Sequence, residues 1–143
     1  MCEIFISAEP ASYDSRTRSV RLHGVVTSIR LENLFWSVLE EIAARDGMGV
    51  VQLIEKLYDE LVAARGAVGN FASFLRVTAL RYQALMAHQR IPPDQAVPIR
   101  SLDAHAVLHA LPPGWGRAAE MDQPASASSS ARAWAAVKSS APV

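Results

Sequence analysis

The sequence contains a single cysteine, Cys2. This excludes an internal disulfide and is typical of a protein that folds in a reducing cytoplasm. One cysteine and four scattered histidines (His23, His88, His105 and His109) cannot form a zinc site at these spacings. His105 and His109 are four residues apart, but no third ligand stands at a suitable distance along the chain. We therefore expect no disulfide, no metal site and no cofactor.

Long apolar runs are also lacking. Half of the 143 residues are hydrophobic, but no run reaches the roughly 18 apolar residues of a membrane-spanning helix. The N-terminus has no basic segment followed by a long apolar stretch, so secretion is not expected. This length suits one modest core rather than two folded domains. We expect a cytoplasmic protein.

The sequence shows no Ser/His/Asp set, no glycine-rich phosphate loop and no paired carboxylates. Glu40 and Glu41 are adjacent, so they point in different directions on a helix. Loss of Met1 would expose Cys2 as in N-terminal-nucleophile amidotransferases. Those enzymes need a large β-sandwich, and Glu3 stands where they usually have glycine. We predict that the chain is not an enzyme.

The net charge is zero, but the charges are unevenly distributed. No acid lies between Ser15 and Leu31, and none lies between Leu61 and Pro93, although both segments carry several arginines. Residues 32–60 between them carry seven acids. Because local charge decides whether phosphate is attracted, the neutral sum does not exclude a nucleic-acid partner.

Three helices are predicted from apolar residues at helical spacing. The first spans about 33–46, and Gly47 is expected to end it in the left-handed conformation. The second spans about 50–64. The third begins after Asn70, a favourable N-cap residue, and runs to about residue 88.

Residues 25–36 read VVTSIRLENLFW, and their alternation predicts a strand over 27–31 that residues 20–23 could precede. Residues 2–6 (CEIFI) have strand character and could form an edge strand or a hydrophobic arm, and 7–19 are polar. Prolines and a Ser/Ala tract predict a largely disordered tail, in which 102–111 could form a short helix. The chain thus divides into an arm that could include a short strand (1–19), a core (20–65), a third helix (66–90) and a tail (91–143).

A lone strand leaves its hydrogen-bonding edge open, and two helices supply too little core for one chain. Antiparallel pairing with the same strand of a second copy would solve both problems. The fold class expected is therefore mostly α, a dimer with one short strand per chain pairing between chains. The expected dimer core comprises Ile29, Leu31, Phe35, Leu39, Ile42, Leu53, Ile54 and Leu57.

The outward side chains of that strand would be Val26, Ser28 and Arg30. A two-stranded ribbon fits the major groove of DNA, where Arg30 can bind a guanine, Ser28 can donate or accept, and Val26 can meet a thymine methyl. The start of the second helix, at Gly49 and Val50, offers backbone N–H groups to a phosphate. Basic side chains of the acid-free segment are candidates for contacts to the DNA backbone: Arg16, Arg18, Arg21 and His23.

The segments SVRLHGVVTSIRLENLFWSVLEEIAARDGM, LIEKLYDEL and GNFASFLRVTALRY together resemble the ribbon-helix-helix (MetJ/Arc-type) DNA-binding family. They are most similar to a bacterial subgroup with TS-[IV]-x-LE, FW and GN-[LF]-x-S-x-LR motifs, over residues 15–83. The resemblance implies a homodimer that binds double-stranded DNA through paired strands, usually as a repressor or antitoxin-like autoregulator. Val26 stands where the subgroup often has a basic residue, and Gly49 where the family favours Ser.

Two functions follow as hypotheses. The first is sequence-specific DNA binding by a homodimer that regulates transcription, with higher-order assembly on DNA as an extension. The alternative is a dimeric protein-interaction module, antitoxin-like or scaffolding, that has little DNA affinity and holds a protein partner through its arm or tail. Val26 and Gly49 favour the alternative, whereas the clustered arginines oppose it.

Overall fold

The structure is a computed structural model that describes residues 2–117. The described residues divide into two compact units, 2–107 and 108–117. The described elements are helices α1 and α2, strands β1 and β2, helices α3 to α5, a short 3-10 helix and helix α6. Their bounds in chain order are Cys2–Ile6, Pro10–Tyr13, Ser15–Leu22, Val25–Glu32, Asn33–Arg45, Val50–Arg65, Phe71–Ala87, Ile99–Ser101 and Ala104–Leu108.

Strands β1 and β2 form an antiparallel hairpin within one chain, from Ser15 opposite Glu32 to Leu22 opposite Val25. His23 (φ 48°) and Gly24 (φ 82°) occupy the two turn positions. Two successive positive φ values are typical of the type I′ turn, whose twist matches that of the flanking strands. The strand predicted at 27–31 is present within β2.

The predicted pairing of that strand with a second copy is corrected by this hairpin. Residues 20–23 were expected only as a possible extension before that strand, whereas β1 is a separate strand that begins at Ser15, inside the segment interpreted as a polar arm. Because β1 follows the same alternation and the turn is only two residues long, the chain supplies its own partner strand. The mostly helical class with a two-stranded ribbon is confirmed.

The helices bury a core within one chain. Leu31, Trp36, Leu39, Ile54 and Leu75 are 0 % exposed. Six of the eight residues expected in a dimer core are buried here without a second copy, and the other two, Phe35 and Leu57, are half-buried. Helix α5 supplies the apolar surface that two helices alone lacked, through its buried residues Leu75, Ala79, Tyr82 and Leu85.

The helices lie within about two residues of their predicted bounds. Asn70 caps α5 as predicted, because its side-chain oxygen accepts a hydrogen bond from the N–H of Ser73 at 3.1 Å. Gly47 follows α3 with φ 69°, the left-handed conformation expected there.

Both ends of the described chain differ from expectation. Residues 2–6 form a helix rather than a strand, and Ser7 closes it by donating to the carbonyl of Glu3 at 3.2 Å. Because backbone groups of the segment bond to one another within the helix, they do not need a partner strand. Residues 91–101, predicted as disordered tail, are packed: Ile91 is 5 % exposed, and Arg45 of α3 donates to the carbonyls of Asp94 and Val97.

The short helix expected over 102–111 is present as α6. Residues 109–117 continue with turns, one of them closed by a hydrogen bond that the N–H of Trp115 donates to the carbonyl of Pro112 at 3.1 Å. The remainder of the predicted tail, 118–143, lies outside the described residues. Among residues 2–117, no helix combines the length and apolarity needed to cross a membrane.

Candidate nucleic-acid interface

One face of the hairpin is exposed and polar, and the other is buried against the helices. Alternation along β1 and β2 places Val20, Leu22, Ile29 and Leu31 in the core. The opposite side chains are all exposed, and we call them the outward face: Thr17, Ser19, Arg21, Val26, Ser28 and Arg30.

The strand register sets the layout of the outward face. Ser19 lies opposite Ser28 at its centre, Thr17 lies opposite Arg30, and Arg21 lies opposite Val26. The two arginines therefore occupy diagonally opposite corners. Val26 is 62 % exposed, so an apolar side chain faces solvent where a cation would be expected. Arg21 on the neighbouring strand places a guanidinium beside that position.

The guanidinium of Arg30 is positioned by one hydrogen bond, from its Nε to the hydroxyl oxygen of Ser15 at 2.7 Å. The nearby carboxylate of Glu32 accepts hydrogen bonds from Arg76 of α5 at 2.8 and 3.2 Å. These bonds hold the pKa of Glu32 below its ordinary value and raise the pKa of Arg76. The acid at the end of β2 is thus hydrogen-bonded to a helix residue, while Arg30, which is exposed, acts on Glu32 only through its charge.

The structure separates the four basic residues proposed for the DNA backbone. Only Arg21 lies on the outward face. Arg18 bonds to Glu40 of α3, and its guanidinium carbon lies 4.8 Å from the centre of the Trp36 ring. Arg16 lies 3.7 Å from the same Glu40 carboxylate.

His23, at the tip of the hairpin, contacts α4 instead of the outward face. Its Nε2 lies 2.8 Å from the carboxylate of Asp59, and its ring meets Tyr58 edge-on at 5.1 Å between centroids. These contacts tie the turn to α4. A role of His23 at DNA remains a prediction.

The first turn of α4 keeps the feature expected of a phosphate contact. Gly49 is the N-cap residue and has no side-chain cap bond, so N–H groups of the first turn are left to an external acceptor. Gly49 is exposed, whereas the side chain of Val50 is 8 % exposed. Only the backbone of Val50 is therefore suited to an anion.

Thr17 and Ser19 were not predicted as members of the exposed face, although the sequence contains a signal for them. Residues 19–22 read Ser-Val-Arg-Leu and residues 28–31 read Ser-Ile-Arg-Leu. This four-residue repeat is too short to indicate a repeated structural motif. Together with the His-Gly pair between the two copies, it indicates two equivalent strands joined by a tight turn.

Comparisons with known proteins agree with this geometry. A family model for the ribbon-helix-helix domain matches residues 15–83. The chain is 64 % identical to an uncharacterized protein from Bordetella pertussis Tohama I whose structure is solved, with a TM-score of 0.81 over 87 % of this chain and 96 % of that one. No curated protein matches.

The matched span begins at the first residue of β1 and ends within α5, so it contains the hairpin and the three long helices. This fold is a non-enzymatic DNA-binding fold, and proteins that carry it generally bind DNA as dimers in transcription regulators. With the hairpin, the helices and the family match in agreement, the chain belongs to the ribbon-helix-helix domain family.

Proposed function

We propose that the chain is a transcriptional regulator that binds double-stranded DNA sequence-specifically as a homodimer. The observation that carries the proposal is the outward face, an exposed polar surface with two arginines on a two-stranded ribbon. Its strands are about 4.8 Å apart, and a major groove about 12 Å wide admits such a ribbon.

Each residue on β2 has a chemical role in this proposal. Arg30 donates two parallel hydrogen bonds to guanine O6 and N7, Ser28 donates to or accepts from a base edge, and Val26 packs on a thymine methyl. The backbone N–H groups at Gly49 and Val50 bind a phosphate and fix the orientation of the ribbon.

The homodimer takes a different form from the one expected from sequence. Because β1 completes the ribbon within one chain, a second copy would bring a second hairpin to the DNA. Proteins of this family generally bind DNA as dimers, which supports this part of the proposal. Two bound hairpins would occupy major-groove segments about one helical turn, roughly 34–36 Å, apart.

A gel-shift titration over a salt series tests the proposal. A protein that neutralises several phosphates loses affinity steeply, by orders of magnitude between about 50 and 200 mM salt. We expect such a loss together with preference for some duplexes over others. Absence of any shift at about 50 mM salt would refute DNA binding.

A second function is favoured by a separate observation. Ile4, Phe5 and Ile6 of α1 are 76 %, 70 % and 80 % exposed, an apolar cluster at the N-terminal arm. The chain could serve as a protein-interaction module that holds a partner through this arm. Binding to such a partner would change little over the same salt series, because apolar contacts are not screened.

A further inference from the structure

The two strands of the hairpin are near-copies of one another. The Ser-Val-Arg-Leu of β1 and the Ser-Ile-Arg-Leu of β2 are aligned so that their first residues, Ser19 and Ser28, lie directly opposite each other. Two equal segments that run antiparallel through a common central pair are related by a twofold rotation about that pair. The hairpin therefore carries a local pseudo-twofold axis through Ser19 and Ser28.

The inward side chains obey the same symmetry. Val20 and Leu22 on β1 correspond to Ile29 and Leu31 on β2, and all four are between 0 % and 8 % exposed. The two copies thus face the core in the same way. The two strands therefore match in burial as well as in sequence.

The outward face consequently reads Thr-Ser-Arg along β1 and Val-Ser-Arg along β2. Thr17 and Val26 have the same branched shape, Ser19 matches Ser28, and Arg21 matches Arg30. One chain alone presents the surface that two identical strands from two chains would present. Arg21 and Arg30 are four residues apart along the ribbon, about 14 Å at about 3.4 Å per residue.

The two arginines are held by different bonds, but neither is neutralised by an acid. Arg30 bonds Ser15 through Nε, whereas for Arg21 the backbone N–H bonds the Glu55 carboxylate at 3.4 Å. Neither guanidinium forms an ion pair among residues 2–117. No hydrogen bond from a terminal guanidinium nitrogen of either residue is present among residues 2–117, so both can make a bidentate contact.

We infer that the hairpin of a single chain reads a short inverted repeat, with Arg21 and Arg30 each binding a guanine on opposite DNA strands. This inference rests on the proposed function. Symmetry of a DNA-binding surface is mirrored in the symmetry of its site. A separation of about 14 Å corresponds to about four base-pair steps at about 3.4 Å each, which is the expected spacing of the two guanine contacts. Arg21 is thereby a specificity-determining residue that supplies the cation missing at Val26.

The test compares Arg21→Ala and Arg30→Ala in the full chain, with Arg65→Ala as the matched control. Arg65 is exposed at the end of α4, away from the outward face, and its loss removes the same charge. Binding sites are selected from random duplexes by each protein, and affinities are measured by fluorescence anisotropy on the site selected by the wild type. Thermal unfolding checks that each variant is folded.

We expect Arg21→Ala and Arg30→Ala each to weaken binding roughly 5- to 150-fold. Each should also relax the preference at a different one of two symmetry-related G·C pairs. Arg65→Ala should leave the selected site unchanged. Arg21→Lys and Arg30→Lys retain the charge but not the planar fork, so they should also relax base preference.

Three results would overturn the inference. If Arg21→Ala behaves like Arg65→Ala while Arg30→Ala loses affinity, DNA binding stands but β1 does not read bases. If Arg21→Ala weakens binding equally to all duplexes, Arg21 contacts phosphate only. If the wild type shifts no DNA at low salt, the proposed function fails and this inference fails with it.

Discussion

The carboxylate of Glu32, at the end of β2, accepts two hydrogen bonds from the guanidinium of Arg76 on α5, at 2.8 and 3.2 Å. The pair joins the strand that carries Ser28 and Arg30 to the helix that completes the core. Hydrogen bonding by Arg76 holds the pKa of Glu32 below its ordinary value of 4.5. An acid with a lowered pKa stabilises the fold in its ionised form.

The stability of the fold should therefore depend on the ionisation of Glu32. The contribution of the pair is fully present above pH 4.5 and is lost as the pH falls through the lowered pKa of the folded state. Because both side chains are about one-third exposed, we expect Glu32→Gln to cost up to about 1 kcal/mol at neutral pH. Urea unfolding at a series of pH values measures this cost.

Glu41→Gln is the control, since Glu41 lies on α3 and forms no salt bridge among residues 2–117. The difference between wild type and Glu32→Gln should shrink at acidic pH, whereas Glu41→Gln should stay near the wild type. A cost of Glu32→Gln that persists unchanged below the lowered pKa would show that the ion pair is not its source.

The hairpin turn should depend on the freedom of Gly24. Its φ of 82° is strained for any side chain, although no atom lies within 4 Å of an added Cβ. We expect Gly24→Ala to destabilise the fold by about 1–2 kcal/mol through the backbone alone. Gly69→Ala, with equally open space and no positive φ, should be neutral or slightly stabilising. Equal unfolding midpoints for the two variants would contradict the type I′ turn.

Arg45 should anchor the segment after α5. It is 5 % exposed and donates hydrogen bonds to the carbonyls of Val97 and Asp94 and to the hydroxyl of Tyr82, at 3.0, 2.9 and 3.2 Å. We expect Arg45→Ala to cost about 2–4 kcal/mol, because it leaves three acceptors unpaired and a cavity. Protease cleavage within 91–101 should increase as well.

The exposed Arg65→Ala serves as the comparison for that loss and should change stability by no more than about 0.5 kcal/mol. If urea midpoints and cleavage rates of Arg45→Ala match those of Arg65→Ala, residues 91–101 are not held through Arg45.

A single chain should fold without a second copy. Leu31, Leu39 and Ile54 are fully buried within one chain, so dilution to a monomer should leave the core intact. Light scattering identifies a concentration at which the sample is monomeric, and circular dichroism there should still report cooperative unfolding. Loss of cooperative unfolding in the monomer would mean that the core needs the partner after all.

The helices and the buried face of β2 could be predicted because periodicity is a local property of the sequence. Ile29 and Leu31 alternate with Ser28 and Arg30, and the cap at Asn70 is specified within four residues. Such patterns fix which side chains are buried, whichever strand lies alongside. The outward orientation of Val26, Ser28 and Arg30 followed from the same alternation.

The strand partner could not be deduced in the same way. Strand pairing depends on register, which is not a local property of the sequence. The many polar residues of β1 also do not resemble a half-buried strand, because its helix-facing side includes Arg16 and Arg18. Both arginines lie near the Glu40 carboxylate, and the guanidinium of Arg18 also lies over the Trp36 ring. Charge counting along the chain does not show these long-range contacts. From the sequence, Arg45 is an ordinary cation in the last turn of α3. Its burial depends on residues 91–101, which are distant along the chain.

The most direct test of DNA recognition by the outward face is selection of bound fragments from genomic DNA by the wild type and by an Arg21→Ala, Arg30→Ala double variant. Both substituted residues are exposed, so the double variant should fold. We expect the wild type to enrich fragments that share an inverted repeat and the double variant not to enrich them. Enrichment of the same fragments by both proteins, or of none by the wild type, would contradict it.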